Sequence, residues 1–309
     1  MPVSTRSMSS PSSSSSSSST ATAPPSKKLF GIMKKAGKRA LGGGLPGFLA
    51  MLVQVAALMW MRTLVNYQYS KGGSFAEAFA ALYAEGGLGR FYNGFSFAIV
   101  VGPLGRFGDT AANEGILAVM ADLFPAVPVA VATMLASAGA AAWRVTTQPI
   151  QNMKTLMQVE GADKAFGVMA SKMADMGAAS ALWDGAAGTM GATWMGHYPW
   201  FATNNFLRTA WPESPDAGKA AKLLRNALIG FCSSMVSDCV ANPLRAITTK
   251  KQTMANATGY LAVTQLIIAE KGGGVEGVLG LMGRGLATKI ISNGIQVGER
   301  ERCLFLAVT

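Results

Sequence analysis

The sequence predicts an all-α membrane protein with six long helices in three-fold pseudosymmetry, and three observations carry that prediction. Hydrophobic residues make up 50% of the 309-residue chain and charged residues only 14%, against about 25% charged in an ordinary soluble domain. Two sequence landmarks recur three times in one order. Between them run long stretches rich in Ala, Gly, Met and Val, interrupted by single Arg, Gln, Asn or Trp residues. Such stretches suit helices that pack on one another and partly face water, not isolated anchors.

The first landmark is a proline nine residues ahead of a glutamine, late in an apolar stretch: Pro149 to Gln158 and Pro243 to Gln252. One period earlier Met59 stands in the proline's place and Gln68 is kept, so the anchors at 59, 149 and 243 lie 90 and 94 residues apart. The second is a glycine eight residues ahead of another: Gly86 and Gly94, Gly177 and Gly185, Gly277 and Gly285. Two landmarks in one order three times define a repeat. The repeats span 46–126, 127–216 and 217–309, after a leader over 1–28 and a basic, Gly-rich lead-in over 29–45.

Each repeat reads as long helix, short amphipathic helix, Gly-rich turn, long helix. The odd helices are expected over 46–69, 129–158 and 221–252, and the even ones over 94–120, 186–209 and 285–305. Phe75 to Tyr83, Lys164 to Met173 and Leu261 to Ile268 are half polar and suit helices lying at a membrane interface. A proline late in a membrane helix removes a backbone bond and bends it. Equivalent bends would gather the odd helices at one end, leaving a basket around a water-filled cavity. Gly102, Gly108, Gly188, Gly191, Gly294 and Gly298 allow its walls to approach closely.

The leader is nearly pure serine from Ser9 to Ser19 and cannot form a core. No acidic residue precedes Glu77, whereas Arg6, Lys27, Lys28, Lys34, Lys35, Lys38 and Arg39 do, which is the composition of an organelle transit peptide. The formal net charge is +11. Because the basic residues are dispersed within apolar segments, an anion-attracting cavity or contact with anionic lipid fits better than a nucleic-acid partner. Cys232 and Cys239, in an apolar helix, read as small buried residues, and with Cys303 they show no metal-ligand spacing. The lone histidine, His197, lies beside Pro199 and aromatic residues and reads as a kink or interface position. No nucleophile–base–acid set, phosphate loop, metal cluster or cofactor motif can be assembled. The chain is therefore not expected to be an enzyme or to carry a metal or cofactor.

On these repeats the chain resembles the mitochondrial carrier family of solute transporters, over roughly Gly47 to the C-terminus. The resemblance implies a six-transmembrane-helix carrier bundle in the mitochondrial inner membrane, with the serine-rich leader leaving the plastid envelope as the alternative. It implies a monomer that takes a small-molecule solute and touches membrane lipid, including anionic lipid. The family ends each odd helix with a Pro-x-acidic-x-x-basic signature whose charges form a gate. Here Pro149 and Lys154 match, with Gln151 in place of the acid; Pro243 matches, with Arg245 at the acidic position, Thr248 at the basic one and Lys250 at a frequent second basic one. Met59, Met61 and Leu64 replace all three in the first repeat, so that gate ring is not expected to form. Lys154, lacking a ring partner, should reach water, a headgroup or a carbonyl. The family's opposite gate maps onto Glu114, with Leu117 at its basic position, and onto Asn205 and Arg208; Glu299 and Arg302 form a similar pair slightly early.

The family's solute-contact positions map onto Val101 and Gly102, Ala192 and Thr193, and Ser292 and Asn293, which are small and mostly neutral and argue against nucleotides and polycarboxylates. Further polar candidates for the cavity are Arg144 and Asp238, each five residues before its repeat's proline, with Arg106, Asp109, Lys289, Gln296 and Glu299 on the even helices. The competing reading makes Arg144–Asp238 or Arg106–Asp109 packing pairs. Two functions follow: alternating-access transport of a small solute, or a carrier-like adaptor that no longer cycles. A closed-off interior filled by aromatic residues would favour the adaptor, and an open funnel lined by Arg144, Asp238, Arg106 and Gln296 would favour transport.

Overall fold

The computed structural model describes residues 25–296 except 215, 217 and 257. Among these residues the protein is helical and contains no strand. Its elements are α1 (Pro25–Lys71), α2 (Phe75–Arg90), α3 (Phe95–Leu123), α4 (Val129–Thr146), α5 (Gln148–Glu160), α6 (Ala162–Met176), α7 (Ala178–Leu182), α8 (Ala186–Ala210), α9 (Lys219–Thr253), α10 (Tyr260–Ala269) and α11 (Gly274–Gly283). A final helix, α12, is described over 286–296.

Helix α1 starts well ahead of the expected 46, because Pro25 suits a first helical turn and Lys, Leu, Met and Ala, all good helix formers, follow it. The expected helix over 129–158 is broken at Thr147 into α4 and α5. Pro149 has no N–H for the Val145 carbonyl, and the Trp183 indole supplies one instead, at 2.9 Å. Pro243, in contrast, lies inside an unbroken α9, as Pro103 and Pro199 lie inside α3 and α8. The short helices start as expected, α2 with a capping box in which Ser74 and Glu77 satisfy each other's backbone N–H groups. It bends at Gly86 and Gly87 and continues to Arg90. Two short helices, α7 and α11, fill what reads in the sequence as turn.

The long helices pack in sequence, α1 on α3, α3 on α4, α4 on α8 and α8 on α9, while α1, α5 and α9 touch pairwise. Side-chain bonds from α12 to α9 (Asn293 to Asp238) and to α1 (Arg62 to Gln296) complete the circuit. The walls are tight at small residues. A Cβ on Gly108 would meet the Trp143 indole, one on Gly102 would meet Val55, and one on Gly188 would meet Thr248. Gly298 lies outside the described residues, as do Glu299, Arg302, Cys303 and residues 1–24 of the leader.

Three apolar clusters occupy equivalent places. Met61 and Leu64 of α1 pack with Ala78 and Leu82 of α2; Met153 and Leu156 of α5 with Ala165 and Met169 of α6; Ala246 of α9 with Val263 and Ile267 of α10. Burying such side chains is worth about 1.5–3 kcal/mol each, which fixes each short helix beneath its odd helix. By length and apolar composition, α9 is the one helix among the described residues that could cross a membrane. Polar residues interrupt the apolar stretches of other long helices: Arg106, Asp109 and Asn113 in α3, and His197, Asn204, Asn205 and Arg208 in α8. Cys232 and Cys239 are exposed, not buried, because they lie on the outward face of α9 with Met235, Val236 and Val240.

Candidate functional site

The polar interior has two levels. At the end where α1, α5 and α9 meet, three buried cations cap the last carbonyls of these helices, each reaching from one repeat to the next. Arg90 donates to the Gln158 and Val159 carbonyls of α5 at 2.9 and 2.8 Å and pairs with Glu85 at 2.6 Å. Lys172 donates to the Lys251 and Gln252 carbonyls of α9 at 3.2 and 3.0 Å and pairs with Asp184 at 2.5 Å. Arg284 donates to the Tyr69 and Ser70 carbonyls of α1 at 2.8 and 2.7 Å and pairs with Glu270 at 2.7 Å.

The last carbonyls of a helix have no intrahelical donor and carry its negative dipole end, so a cation there satisfies both needs. Lys251 also pairs with Asp184, Lys250 with Glu270 at 2.9 Å, and Lys71 with Glu160 at 2.7 Å. Burial holds the Lys172 ammonium below the usual lysine range, against the opposing pull of Asp184. Burial would raise Glu270, but hydrogen bonds from Arg284 and Lys250 outweigh it and hold the carboxyl below its ordinary value.

The landmark glycines serve the same joint. Gly94, Gly185 and Gly285 precede α3, α8 and α12 with φ of 82°, 80° and 66°, a left-handed conformation that disfavours any side chain. Each also presses on the next repeat's odd helix: Gly94 on Lys154 and Met157, Gly185 on Gln252, Gly285 on Gln68 and Tyr69. At the start of α8, the Gly188 N–H finds a substitute cap in the Tyr260 hydroxyl of α10, at 2.8 Å.

The second level lies further along the helices. Arg144 of α4 binds both carboxylate oxygens of Asp109 on α3. Arg245 binds Asp238, whose other oxygen accepts from Asn293 of α12. Arg62 donates to Gln296 at 3.3 Å and to the Met51 sulfur at 3.5 Å, and Gln296 in turn donates to Ser292 at 3.1 Å. The Arg62 Nε is buried and has no hydrogen-bond partner. Lys154 donates to Gln151 at 3.0 Å. Of the other polar candidates, Arg106 on α3 is exposed, and Lys154 on α5, Lys289 on α12 and His197 on α8 are half-buried.

These contacts correct several expectations. Arg144 takes Asp109 and Asp238 takes Arg245, in place of the expected Arg144–Asp238 pair, because α3 lies on α4 and because Arg245 follows Asp238 by two helical turns. Lys154 donates to the side-chain amide carbonyl oxygen of Gln151, one turn back on its own helix. Lys250 turns outward to Glu270, and the Thr248 hydroxyl donates to the Leu244 carbonyl. The opposite gate does not assemble among the described residues: Glu114 and Asn205 are exposed, and Arg208 binds Asn204 and Asn226. Val101, Ala192 and Ser292, at expected solute-contact positions, are buried.

Arg62 and the three capping cations are absent from the candidates drawn from the sequence. A basic residue shortly before a landmark glycine, with an acid upstream, was the available signal for Arg90 and Arg284. No protein-family model matches the chain, and no curated protein matches it.

Proposed function

We propose that the protein is a six-helix membrane transporter of the mitochondrial-carrier kind, moving a small solute by alternating access through the polar interior of its bundle. One observation carries this reading: charged and polar side chains bridge the helices of the bundle, Arg62 to Gln296, Arg144 to Asp109 and Asn293 to Asp238, where an adaptor would have packed apolar or aromatic groups. Buried charge in a membrane bundle is costly and marks a pathway by default. Helices lining a wet interior need not be uniformly apolar, which accounts for their composition. The capped junction of α1, α5 and α9 then serves as the closed end, with different charges doing the work of the missing signature ring. A mitochondrial inner membrane, or a plastid envelope, is the proposed location, with a monomer as the working unit. Exposed Lys34 and Lys38 on α1 are available to anionic lipid.

Uptake by the reconstituted protein tests this reading across a panel of anionic, zwitterionic, neutral and cationic solutes. Saturable uptake of at least one solute is expected, reduced in Arg144→Ala and Asp238→Ala. Uptake no faster than in protein-free vesicles for the whole panel would refute transport and leave the adaptor.

A further inference from the structure

A cavity of about 300 Å³ opens on the outer face of the bundle between α4, α8 and α9, with Trp194, Met195 and Tyr198 of α8, Thr133 and Ser137 of α4 and Val240 of α9 in its walls. No charged residue lines it. Helix α8 lies close to α9 here, because Gly191 and Gly196 meet Leu244, Ser237 and Ala241 with no side chain of their own. Trp143, Trp183 and Trp200 donate their indole N–H groups within the protein. The Trp194 indole and the Tyr198 hydroxyl have no hydrogen-bond partner among the described residues, and the two residues are 46% and 58% exposed. The Thr133 and Ser137 hydroxyls, in contrast, are spent on the Val129 and Thr133 carbonyls, each at 2.8 Å.

Tyr198 is the middle residue of α8 (Ala186–Ala210), and Trp194 lies one turn nearer its start. At 1.5 Å per residue Tyr198 stands about 18 Å from either end, close to the mid-plane of a hydrocarbon layer about 30 Å thick. Aromatic residues that anchor a helix at the membrane surface lie near its ends, where water and headgroups meet their polar atoms. At mid-depth no such partner exists, and an unmet donor in hydrocarbon is costly.

We propose that this cavity binds the ring of a lipid-soluble quinone, which enters from the hydrocarbon layer. The ring is flat and apolar, which suits aromatic walls, and its carbonyl oxygens accept what Trp194 and Tyr198 have to donate. A cavity of this volume is at the small end for ligand sites and holds one such ring while the tail stays among the lipid chains. Depth separates a quinone from the other membrane lipids. Phospholipid esters and sterol hydroxyls sit at headgroup level, and a fatty-acid carboxylate here would be an unpaired charge at mid-depth. The site is separate from the polar interior and from transport, but it rests on the reading that the bundle lies in a membrane.

The test uses the full chain in phosphatidylcholine nanodiscs, titrated with decyl-para-benzoquinone, decylbenzene or cholesterol while its melting is followed. The quinone should raise the midpoint, and the other two should not. Tyr198→Phe and Trp194→Phe each keep a ring but lose the donor. Each should weaken quinone binding by about tenfold without lowering the midpoint of the ligand-free protein. Val240→Trp fills the cavity from an exposed position and should abolish the quinone response. The proposal is overturned if the quinone leaves the midpoint of the inserted chain unmoved, or if cholesterol acts in its place. It is overturned equally if decylbenzene matches the quinone and both phenylalanine variants respond as the parent does, which would make the cavity a seat for a hydrocarbon chain. A ligand-free midpoint lowered in both variants would show the donors already satisfied and overturn it too. A chain that fails to enter the discs contradicts the membrane reading and this site together, whereas an inserted chain that ignores the quinone leaves that reading standing.

Discussion

Asp184→Asn isolates the energetics of the capped junction better than any other single change. Asp184 accepts from both Lys172 and Lys251, and the three side chains lie in residues only 7%, 1% and 9% exposed. Asparagine keeps the shape of the turn and the backbone carbonyl that takes Gln148 and Asn152. Only the charge is lost, leaving two buried ammonium groups facing each other. Breaking a buried ion pair by removing one partner costs about 3–5 kcal/mol. The Gln252 and Lys251 carbonyls still hold Lys172, which places the cost near the lower end of that range. In a chain of this size it corresponds to a melting point lower by roughly 5–10 °C. The same change in a Lys172→Met/Lys251→Met background should cost under about 1 kcal/mol, since no buried cation is then orphaned. Thermal melting of the four proteins in detergent or nanodiscs measures both quantities. Equal destabilisation by Asp184→Asn in the two backgrounds would refute the assignment of the charge to this junction.

Three further outcomes follow from the packing and the charges. Trp183→Phe removes the donor that replaces the missing Pro149 N–H and should cost about 1 kcal/mol; in a Pro149→Ala background, where an N–H returns, thermal melting should show the cost largely gone. Gly108→Ala drives a methyl into the Trp143 indole and should destabilise by about 1–3 kcal/mol, a penalty that Trp143→Leu relieves in the same melting assay. The Glu270 carboxyl lies below its ordinary value of 4.5, so the folded state binds protons less readily there than the unfolded chain. Its contribution is therefore fully present above that value and lost as pH falls through the lower, folded one. Melting followed against pH should show this acid loss in the parent and a shallower slope in Glu270→Gln.

The helical layout was legible because its signals are local. Periodic apolar stretches, the Ser74–Glu77 box and the spacing of Gly94, Gly185 and Gly285 place most elements within a few residues. The glycines were recognisable as recurrent, although only the folded chain reveals that each presses on the odd helix of the next repeat. The capping cations resisted reading for a specific reason. Arg90 stands four residues before its landmark glycine, Arg284 one residue before, and Lys172 on the preceding helix, so no common register displays them as a set. Their acceptors are backbone carbonyls, which have no sequence signature, and lie as far as 216 residues away, as between Arg284 and Gln68. The pairing of Arg144 with Asp109 was equally hidden, since it depends on how α3 and α4 are rotated against each other. The break at Thr147 was half legible: Pro149 predicts a bend, but the indole that lets the helix part there comes from 38 residues downstream.

The central claim is that water reaches a charged interior within a membrane bundle, and thiol accessibility tests it most directly. With Cys232, Cys239 and Cys303 replaced by serine, Lys154→Cys and Lys289→Cys are introduced singly into protein reconstituted in sealed vesicles. The account predicts that a charged, membrane-impermeant thiol reagent modifies both positions. Both cysteines staying inert to that reagent while a lipid-soluble one modifies them would contradict it.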